Sequence, residues 1–286
     1  PRGPPAPPPD VAATVRDVVV GDMDAGQMSV RVYAPEDSPG PLPCLFWVYG
    51  GGYIFEPIHV VDPRLLQWAA DFQCVVVAPS YRLAPEHPFP AAHDDCRTAI
   101  GWMLSSAEEL GIDRARLVIG GESAGGGLAA GIVLRMRDEG EMPFIRQLLV
   151  YAALDDRHVT PSSQAAGALI WSSELSRFAW DCYLGGVDEI SPYAAPARAA
   201  DLRGLPPTFI AVGANDITRD ENIAFAERLT AALTSVDLHV YDGAPHAFEL
   251  LAPDAAVSRR MSRDLDRAVG RSVGADVGVP DQSQPM

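Results

Sequence analysis

The sequence contains no lysine, so all 22 of its basic side chains are arginines. This absence excludes catalysis through a lysine Schiff base or a serine–lysine pair. The 38 acidic side chains give the chain a net charge of −16. Because nucleic acids and anionic lipid surfaces repel such a protein, the composition argues against both as partners.

Cysteine pairs and long apolar runs are also missing. The four cysteines stand far apart, without a CxxC pair or a cysteine–histidine group of zinc spacing, so we expect four free thiols. No apolar run reaches the roughly 18–20 residues that a membrane-spanning helix needs. No secretory signal segment opens the sequence either. These absences favour a cytoplasmic protein that has no membrane partner.

What the sequence does contain is an alternation of strand and helix patterns. Two β-type runs, "VRDVVV" and "MSVRVYAP", come first and predict an antiparallel pair. Short apolar runs then alternate with helical segments of 10 to 15 residues, which brings the predicted strands to eight. This alternation predicts an α/β fold with a mostly parallel eight-stranded sheet flanked by helices.

Three segments depart from the alternation. The proline-dense residues 1–14 and the tail, residues 271–286, are predicted to be disordered. Residues 15–270 are predicted to form a single domain. Within it, about fifty residues (155–204) separate two predicted strands, and an insertion of that length is most simply a cap over one edge of the sheet.

The stretch "GGESAGGG" places Ser123 in a GxSxG pattern between a predicted strand and a predicted helix. A nucleophile elbow lies in that context, because only small residues fit beside a serine on so sharp a turn. The alternatives are an ordinary glycine-rich turn and a phosphate-binding loop. The missing lysine and the absence of GxGxxG spacing weigh against the latter.

A serine nucleophile needs a base, which in this fold lies last along the chain. Of the histidines after Ser123, His158 falls in the predicted cap and His239 falls within a predicted strand. His246 follows the last predicted strand, in a loop at its carboxyl end. This position favours His246 as the base.

The base in turn needs a carboxylate that orients it. The stretch "VGANDITRDEN" offers three, of which Asp216 is the nearest to the end of the preceding strand. Asp220 and Glu221 fall where the next helix begins, and acidic side chains there commonly stabilise the helix terminus. The order along the chain therefore favours Asp216.

Three consecutive glycines, Gly50–Gly52, follow the apolar run "CLFWVYG". Attack on an ester carbonyl creates an oxyanion that needs N–H donors roughly 2.7–3.1 Å away. A glycine loop can supply such donors, because its side chains do not block the approach of the substrate. The N–H of Ala124, directly after the serine, can supply another. A merely flexible turn is the alternative for the glycines.

These motifs, together with "PSYRLAPEHPFPAAHDD" and "YDGAPHAF", resemble those of the hormone-sensitive-lipase-like (bacterial type IV) esterases of the α/β-hydrolase fold. The resemblance covers about residues 15–250. It implies a serine carboxylesterase that acts on short-to-medium acyl esters without a cofactor or a metal, with a homodimer as a possible assembly. The residues that it implies are Ser123, Asp216 and His246 as the triad, Gly51, Gly52 and Ala124 as oxyanion donors, and Tyr49 and Tyr53 as substrate contacts.

The same resemblance gives "PEHPFPAAHDD" a structural role, with Arg82 held by Asp94 or Asp95, which removes His87 and His93 from any metal site. The chain departs from the family in three respects. Tyr49 stands where the family has histidine, and Glu122 stands where it has aspartate. The amino-terminal helical part of the cap is missing, so we expect a reduced cap. A tyrosine can hydrogen-bond through its hydroxyl, as the histidine can through its ring, but it is longer. Our hypothesis is that Tyr49 keeps the oxyanion hole but alters its support, and also alters the acyl pocket.

Two other functions stay open on the sequence alone. One is a biosynthetic enzyme, such as a lactonase, acyltransferase or dehydratase, that uses the same triad on a dedicated substrate. Tyr49 and the short cap motivate this alternative. The other is a non-catalytic ligand receptor, as the gibberellin receptors of this family are, although such proteins lose a member of the triad.

Overall fold

A computed structural model describes residues 11–21, 27–37, 40–56, 58–165 and 169–274. The predicted disorder of residues 1–10 and 275–286 therefore falls outside the described residues, as does most of the connection between the first two predicted strands.

Eight β-strands form one sheet in the described part of the chain. They are β1 (Ala13–Val20), β2 (Met28–Pro35), β3 (Leu42–Val48), β4 (Val75–Pro79), β5 (Ile112–Glu122), β6 (Phe144–Val150), β7 (Thr208–Gly213) and β8 (Val236–Tyr241). Their order across the sheet is β1-β2-β4-β3-β5-β6-β7-β8. β2 pairs antiparallel with β1 and β4, and all the other neighbouring strands are parallel. The predicted mostly parallel sheet of eight strands is confirmed.

Seven α-helices accompany the strands in these ranges. They are α1 (Ile58–Phe72), α2 (Ala91–Ser105), α3 (Ala124–Asp138), α4 (Ser173–Leu184), α5 (Arg219–Ala231), α6 (Phe248–Leu251) and α7 (Ala256–Val273). Helices α1 and α7 pack against each other, and so do α2 and α3. Since α3 and α7 both contact β3, β5 and β6, the two pairs cover opposite faces of the sheet.

The sheet lies between two layers of helices, so its central strands are buried on both faces. All seven residues of β3 except the first are buried, and all five residues of β4 are buried. Three consecutive valines, residues 75–77, pack well in such a strand because their branched side chains suit the pleated surface. The carboxyl ends of β5, β7 and β8 meet at one edge of the sheet, and the candidate site is built there.

Two predicted boundaries need correction. Helix α7 continues to Val273 and ends where Gly274 adopts a left-handed conformation, with φ of 75°. Residues 271–273, predicted as part of a disordered tail, are therefore helical, because α7 buries Ser272 and Val273 against the core. Strand β1 begins at Ala13, inside the predicted amino-terminal disordered segment, because Ala13 pairs with Pro35 of β2.

In the described residues of the predicted insertion between β6 and β7 there is one α-helix, α4. The hydroxyl of Ser172 accepts a hydrogen bond from the N–H of Leu175 at 3.2 Å and so caps the start of α4. The ring of Tyr183 on this helix stacks on Tyr53, with ring centroids 3.9 Å apart. This contact places the insertion against the turn that follows the glycine loop.

The structure also decides which aspartate holds Arg82. Arg82 forms a salt bridge with Asp95 at 2.8 Å, whereas Asp94 pairs with Arg135 at 3.1 Å. All four cysteines are free. None of the helices described here has both the length and the apolarity to cross a membrane. Within the described ranges, no group of three or more His, Cys, Asp or Glu side chains could hold a metal ion.

Candidate active site

Ser123 is the single residue between the end of β5 and the start of α3, and its backbone has φ of 54° and ψ of −123°. A positive φ is unfavourable for a residue with a side chain, so the surrounding packing must hold it. Small neighbours permit that packing. A Cβ on Gly121 would lie 2.5 Å from the carbonyl oxygen of Val48, and a Cβ on Gly125 would overlap the same oxygen. The strand–turn–helix context of a nucleophile elbow is therefore present.

A chain of hydrogen bonds connects Ser123 with two loops at the same edge of the sheet. Nε2 of His246 lies 2.9 Å from Oγ of Ser123, and Nδ1 of His246 lies 2.8 Å from Oδ2 of Asp216. His246 follows β8, and Asp216 follows β7. All three side chains are buried. The structure thus brings together the three residues that the sequence predicts as a triad.

Asp216 is itself held in place by further donors. Its Oδ1 accepts hydrogen bonds from the N–H of Thr218 at 2.9 Å and from the hydroxyl of Thr218 at 3.0 Å. Its Oδ2 stays available for the Nδ1–H of His246. A carboxylate so fixed can orient the imidazole, which leaves Nε2 facing the serine hydroxyl.

The glycine loop lies beside the elbow. Gly51 and Gly52 adopt φ values of 107° and 60°, a region that favours glycine. The carbonyl oxygen of Gly51 accepts hydrogen bonds from the N–H groups of Ile54 and Phe55. Among the described residues, none accepts a hydrogen bond from the N–H of Gly51 or Gly52. Ala124 is the first residue of α3, where a helix leaves its N–H groups without an intrahelical acceptor.

Glu122 connects the loop with the elbow. Its Oε1 accepts a hydrogen bond from the N–H of Gly50 at 3.2 Å, and its Oε2 accepts one from Nε1 of Trp47 at 2.5 Å. Burial raises the pKa of this carboxyl to about 7. Residues from β3, the glycine loop and β5 are thereby joined through one side chain.

Comparisons with known proteins agree with this geometry. A sequence profile of the α/β-hydrolase fold family matches residues 45–250. The chain belongs to this family. Esterase LipI of Mycobacterium tuberculosis is 36% identical over 223 residues, which are 76% of this chain and 70% of the relative. Carboxylesterase NlhH of the same species is 35% identical over 261 residues, 87% of this chain and 81% of the relative.

A solved structure described as a bacterial heroin esterase superposes on this α/β hydrolase with a TM-score of 0.88. The two chains are 38% identical, and the match covers 92% of this chain and 85% of the other. Likeness to hormone-sensitive-lipase-like esterases in sequence and in fold identifies the protein as a carboxylic ester hydrolase of the serine esterase type.

Tyr49 and Tyr53 occupy places in this hydrolase that differ from the predicted substrate contacts. Both are buried, and neither lines the cavity beside Ser123. Tyr49 stacks on Tyr81, with ring centroids 4.7 Å apart, and within the described residues its hydroxyl has no hydrogen-bond partner. The hydroxyl of Tyr81 donates to the carbonyl oxygens of Tyr49 and Gly50 at 3.0 and 3.2 Å. Tyr49 therefore stacks on Tyr81, whose hydroxyl binds the start of the glycine loop, and takes no part in this support through its own hydroxyl.

The remaining candidates of the sequence analysis lie apart from the triad. His239 pairs with Asp237 at 2.9 Å on β8. His158 is buried in the insertion. Asp220 accepts a hydrogen bond from the N–H of Ser162 and so holds the insertion to the start of α5. Glu221 accepts one from the N–H of Leu154, directly before the insertion. None of these four side chains touches Ser123 or His246.

A cavity of about 160 Å³ opens beside the serine of the hydrolase. Apart from the loop glycines, Glu122, Ser123 and His246, its lining is largely apolar: Val60, Val61, Tyr151, Ile170, Trp171, Ala247 and Leu250. Sequence reasoning missed all seven of these residues. The apolar spacing of α1 could have indicated Val60 and Val61 as neighbours of the glycine loop. No pattern in the insertion distinguishes Trp171 from its neighbours.

Proposed function

We propose that Ser123, His246 and Asp216 carry out ester hydrolysis through an acyl-enzyme. His246 takes the proton of Ser123 through Nε2 while Oγ attacks the ester carbonyl carbon. The negative charge that develops on the carbonyl oxygen is stabilised by the N–H groups of Gly51, Gly52 and Ala124. The C–O bond to the alcohol then breaks, and the protonated His246 gives its proton to the leaving oxygen.

The second half of the reaction repeats these steps with water. His246 takes a proton from the water, whose oxygen attacks the acyl carbon. The bond to Oγ breaks, Ser123 recovers its proton from His246, and the free acid leaves. The observation that carries this proposal is the pair of hydrogen bonds at 2.9 and 2.8 Å that join the three side chains.

The substrates that we propose are short-to-medium acyl esters. The largely apolar lining of the cavity beside Ser123 supports this range, because such a surface binds alkyl groups and offers little to charged ones. The biosynthetic alternative depended in part on Tyr49. Since Tyr49 lies outside the cavity, its presence does not favour a dedicated substrate.

Hydrolysis of p-nitrophenyl esters from acetate to decanoate tests the proposal. In Ser123→Ala we expect kcat to fall at least about 10⁴-fold, because the nucleophile is lost while the fold is kept. His239→Ala is the matched control, since this histidine lies on β8 away from the triad. A Ser123→Ala protein that keeps its activity contradicts the assignment of the nucleophile. A stoichiometry with less than one free acid per ester consumed contradicts hydrolysis and favours the biosynthetic alternative.

A homodimer is the assembly that we propose, formed through the edge strand β8. This strand has a neighbour on one side only in the described sheet, and it exposes Leu238 and Val240. Exposed apolar side chains on an unpaired strand edge favour pairing with a second copy. Light scattering should give twice the mass of one chain for the wild type and one chain mass for Leu238→Arg. A monomeric wild type contradicts the assembly.

For the location in the cell, our proposal is the cytoplasm. It is supported by the four free cysteines, since disulfides are rare in that compartment. Cell fractionation followed by an activity assay of each fraction checks it, and activity confined to the exported fraction overturns it.

A further inference from the structure

Trp171 forms one wall of the cavity beside Ser123, directly over the glycine loop. A Cβ placed on Gly52 would overlap the indole ring of Trp171. The same ring lies 6.1 Å from the ring of His246, centroid to centroid, with 30° between the two planes. The indole therefore spans from the loop that carries the oxyanion donors to the catalytic base, across the space that an ester must enter.

The backbone around Trp171 holds the ring in this place. Ile170 has a φ of 68°, and the N–H of Trp171 donates to the carbonyl oxygen of Leu169 at 2.8 Å. The next residue, Ser172, caps the start of α4. A tight turn therefore precedes the tryptophan and a capped helix follows it, which fixes the position of its backbone beside the cavity.

The cavity that remains beneath the indole is small. Its volume of about 160 Å³ is close to that of dry apolar cavities, about 150 Å³, that hold a benzene molecule. The ring of Tyr151 limits the cavity near the base, since its centroid lies 4.7 Å from that of His246. Val60, Val61 and Leu250 complete the apolar walls. A ring of benzene size matches this volume, and the indole of Trp171 closes the cavity on the side of Gly52.

We infer, on the basis of the proposed esterase function, that Trp171 sets the upper size of the ester substituent that the cavity accepts. The substituent is an apolar group no larger than one aromatic ring. It can belong to the acyl part, as in a benzoate, or to the alcohol part, as in a phenyl ester. A shorter side chain at position 171 adds the volume of the indole to the cavity, so a substituent with a second ring can enter.

Two ester series distinguish the acyl part from the alcohol part. The first compares p-nitrophenyl acetate, benzoate and 1-naphthoate, and the second compares phenyl acetate with 1-naphthyl acetate. The quantity to compare is the ratio of kcat/KM for the two-ring ester to kcat/KM for the one-ring ester. We expect this ratio to be about 10-fold or more higher in Trp171→Ala than in the wild type in one of the two series. Trp171→Phe should give a smaller rise. Phe178→Ala is the control, because this exposed aromatic side chain of α4 does not line the cavity.

Binding provides a readout that needs no turnover. Equilibrium titration of Ser123→Ala and of the Ser123→Ala, Trp171→Ala double variant with intact phenyl and 1-naphthyl acetates should show the same change in preference. The inference is overturned if the two-ring to one-ring ratio stays within about twofold of the wild type in both series and in binding. If the wild type prefers the one-ring esters in binding but cleaves none of them, the proposed function is contradicted. The inference that Trp171 limits the size of the substituent is then still supported.

Discussion

At the scale of single residues, Glu122 connects the two parts of the site that must act together. Its carboxyl accepts hydrogen bonds from Gly50, directly before the oxyanion glycines, and from Trp47 in β3, while its own backbone precedes Ser123. The nucleophile and the glycine loop therefore keep their relative position partly through one buried side chain. A shift of the loop by a fraction of an ångström would misplace the oxyanion donors.

Glu122→Ala should lower kcat at least about 10-fold with little change in KM, because the loop loses its anchor while the apolar walls remain. The change also leaves the N–H of Gly50 and the indole N–H of Trp47 without an acceptor, each at a cost of about 1–3 kcal/mol in stability. Steady-state kinetics and thermal unfolding measure both effects. Glu122→Gln, which keeps one acceptor oxygen, should fall between the alanine variant and the wild type.

The exposed Glu109 offers a matched control, since Glu109→Ala removes a carboxylate of the same type from the surface. Equal kcat values for Glu122→Ala and Glu109→Ala contradict the positioning role. So does a loss that appears in KM alone.

Tyr49 allows a second prediction at this scale. Its ring packs on Tyr81, but its hydroxyl has no hydrogen-bond partner within the described residues. Tyr49→Phe should therefore leave kcat within about twofold and keep or raise the melting temperature, because an unpaired buried hydroxyl does not stabilise the fold. Tyr49→Ala should lower both kcat and the melting temperature, since it removes the ring that packs on Tyr81, whose hydroxyl binds the carbonyl oxygen of Gly50. A melting temperature several degrees lower in Tyr49→Phe would reveal a partner for the hydroxyl.

At the scale of secondary-structure elements, the elbow depends on the close approach of α3 to β3. A Cβ on Gly125 would overlap the carbonyl oxygen of Val48, which is backbone and cannot rotate away. We expect Gly125→Ala to destabilise the protein by about 1–3 kcal/mol or more and to lower kcat, because α3 and Ser123 move together. Urea unfolding and kinetics on the same preparation measure the two effects.

Gly101 in α2 provides the opposite case. A Cβ there would meet nothing within 4 Å, so Gly101→Ala should stabilise the protein by about 0.5–1 kcal/mol through helix propensity alone. If Gly125→Ala and Gly101→Ala change the free energy of unfolding in the same direction, steric crowding at the elbow is not the cause of the change in Gly125→Ala.

The sequence predicts well those strands and helices whose hydrophobic pattern is complete within a few consecutive residues. The buried runs of β3 and β4 and the helical spacing of α3 are evident within a few residues. Helix α7 was missed, although Met261, Leu265 and Val269 recur every four residues, because arginines and aspartates dominate the segment between them. Its buried face becomes evident only when the sheet that it covers is present.

The site was predictable only in part, for a related reason. Ser123, Asp216 and His246 stand in motifs whose order along the chain is diagnostic. Glu122 and Gly50 are 72 residues apart, and their hydrogen bond depends on the register between β3 and β5. Trp171 lies in an insertion with no periodic pattern, so its place over Gly52 follows from tertiary packing alone.

At the scale of the whole molecule, burial shifts the pKa of acids and histidines in directions that oppose each other. It raises the pKa of Glu122 to about 7 and raises those of Glu221 and Asp266 from their ordinary values. It lowers the pKa of His93 to about 4 and also lowers that of His158. Relative to the unfolded chain, the folded protein thus binds extra protons on the carboxyls and fewer protons on the histidines.

These shifts predict two opposing contributions to stability between about pH 4 and 7. A raised carboxyl pKa gives stability that is fully present below the ordinary value of 4.5 and is lost as the pH rises to the folded value, so the contribution of Glu122 to the free energy of unfolding should fall between about pH 4.5 and 7. Below about pH 6.5 the unfolded chain protonates histidines that stay neutral in the fold, which removes stability as the pH falls. Urea unfolding at a series of pH values measures the curve, and Glu122→Gln should remove a decrease of up to about 1.4 kcal/mol per pH unit between about pH 4.5 and 7. Parallel curves for wild type and Glu122→Gln would mean that this carboxyl is already ionised in the folded protein at the lower pH.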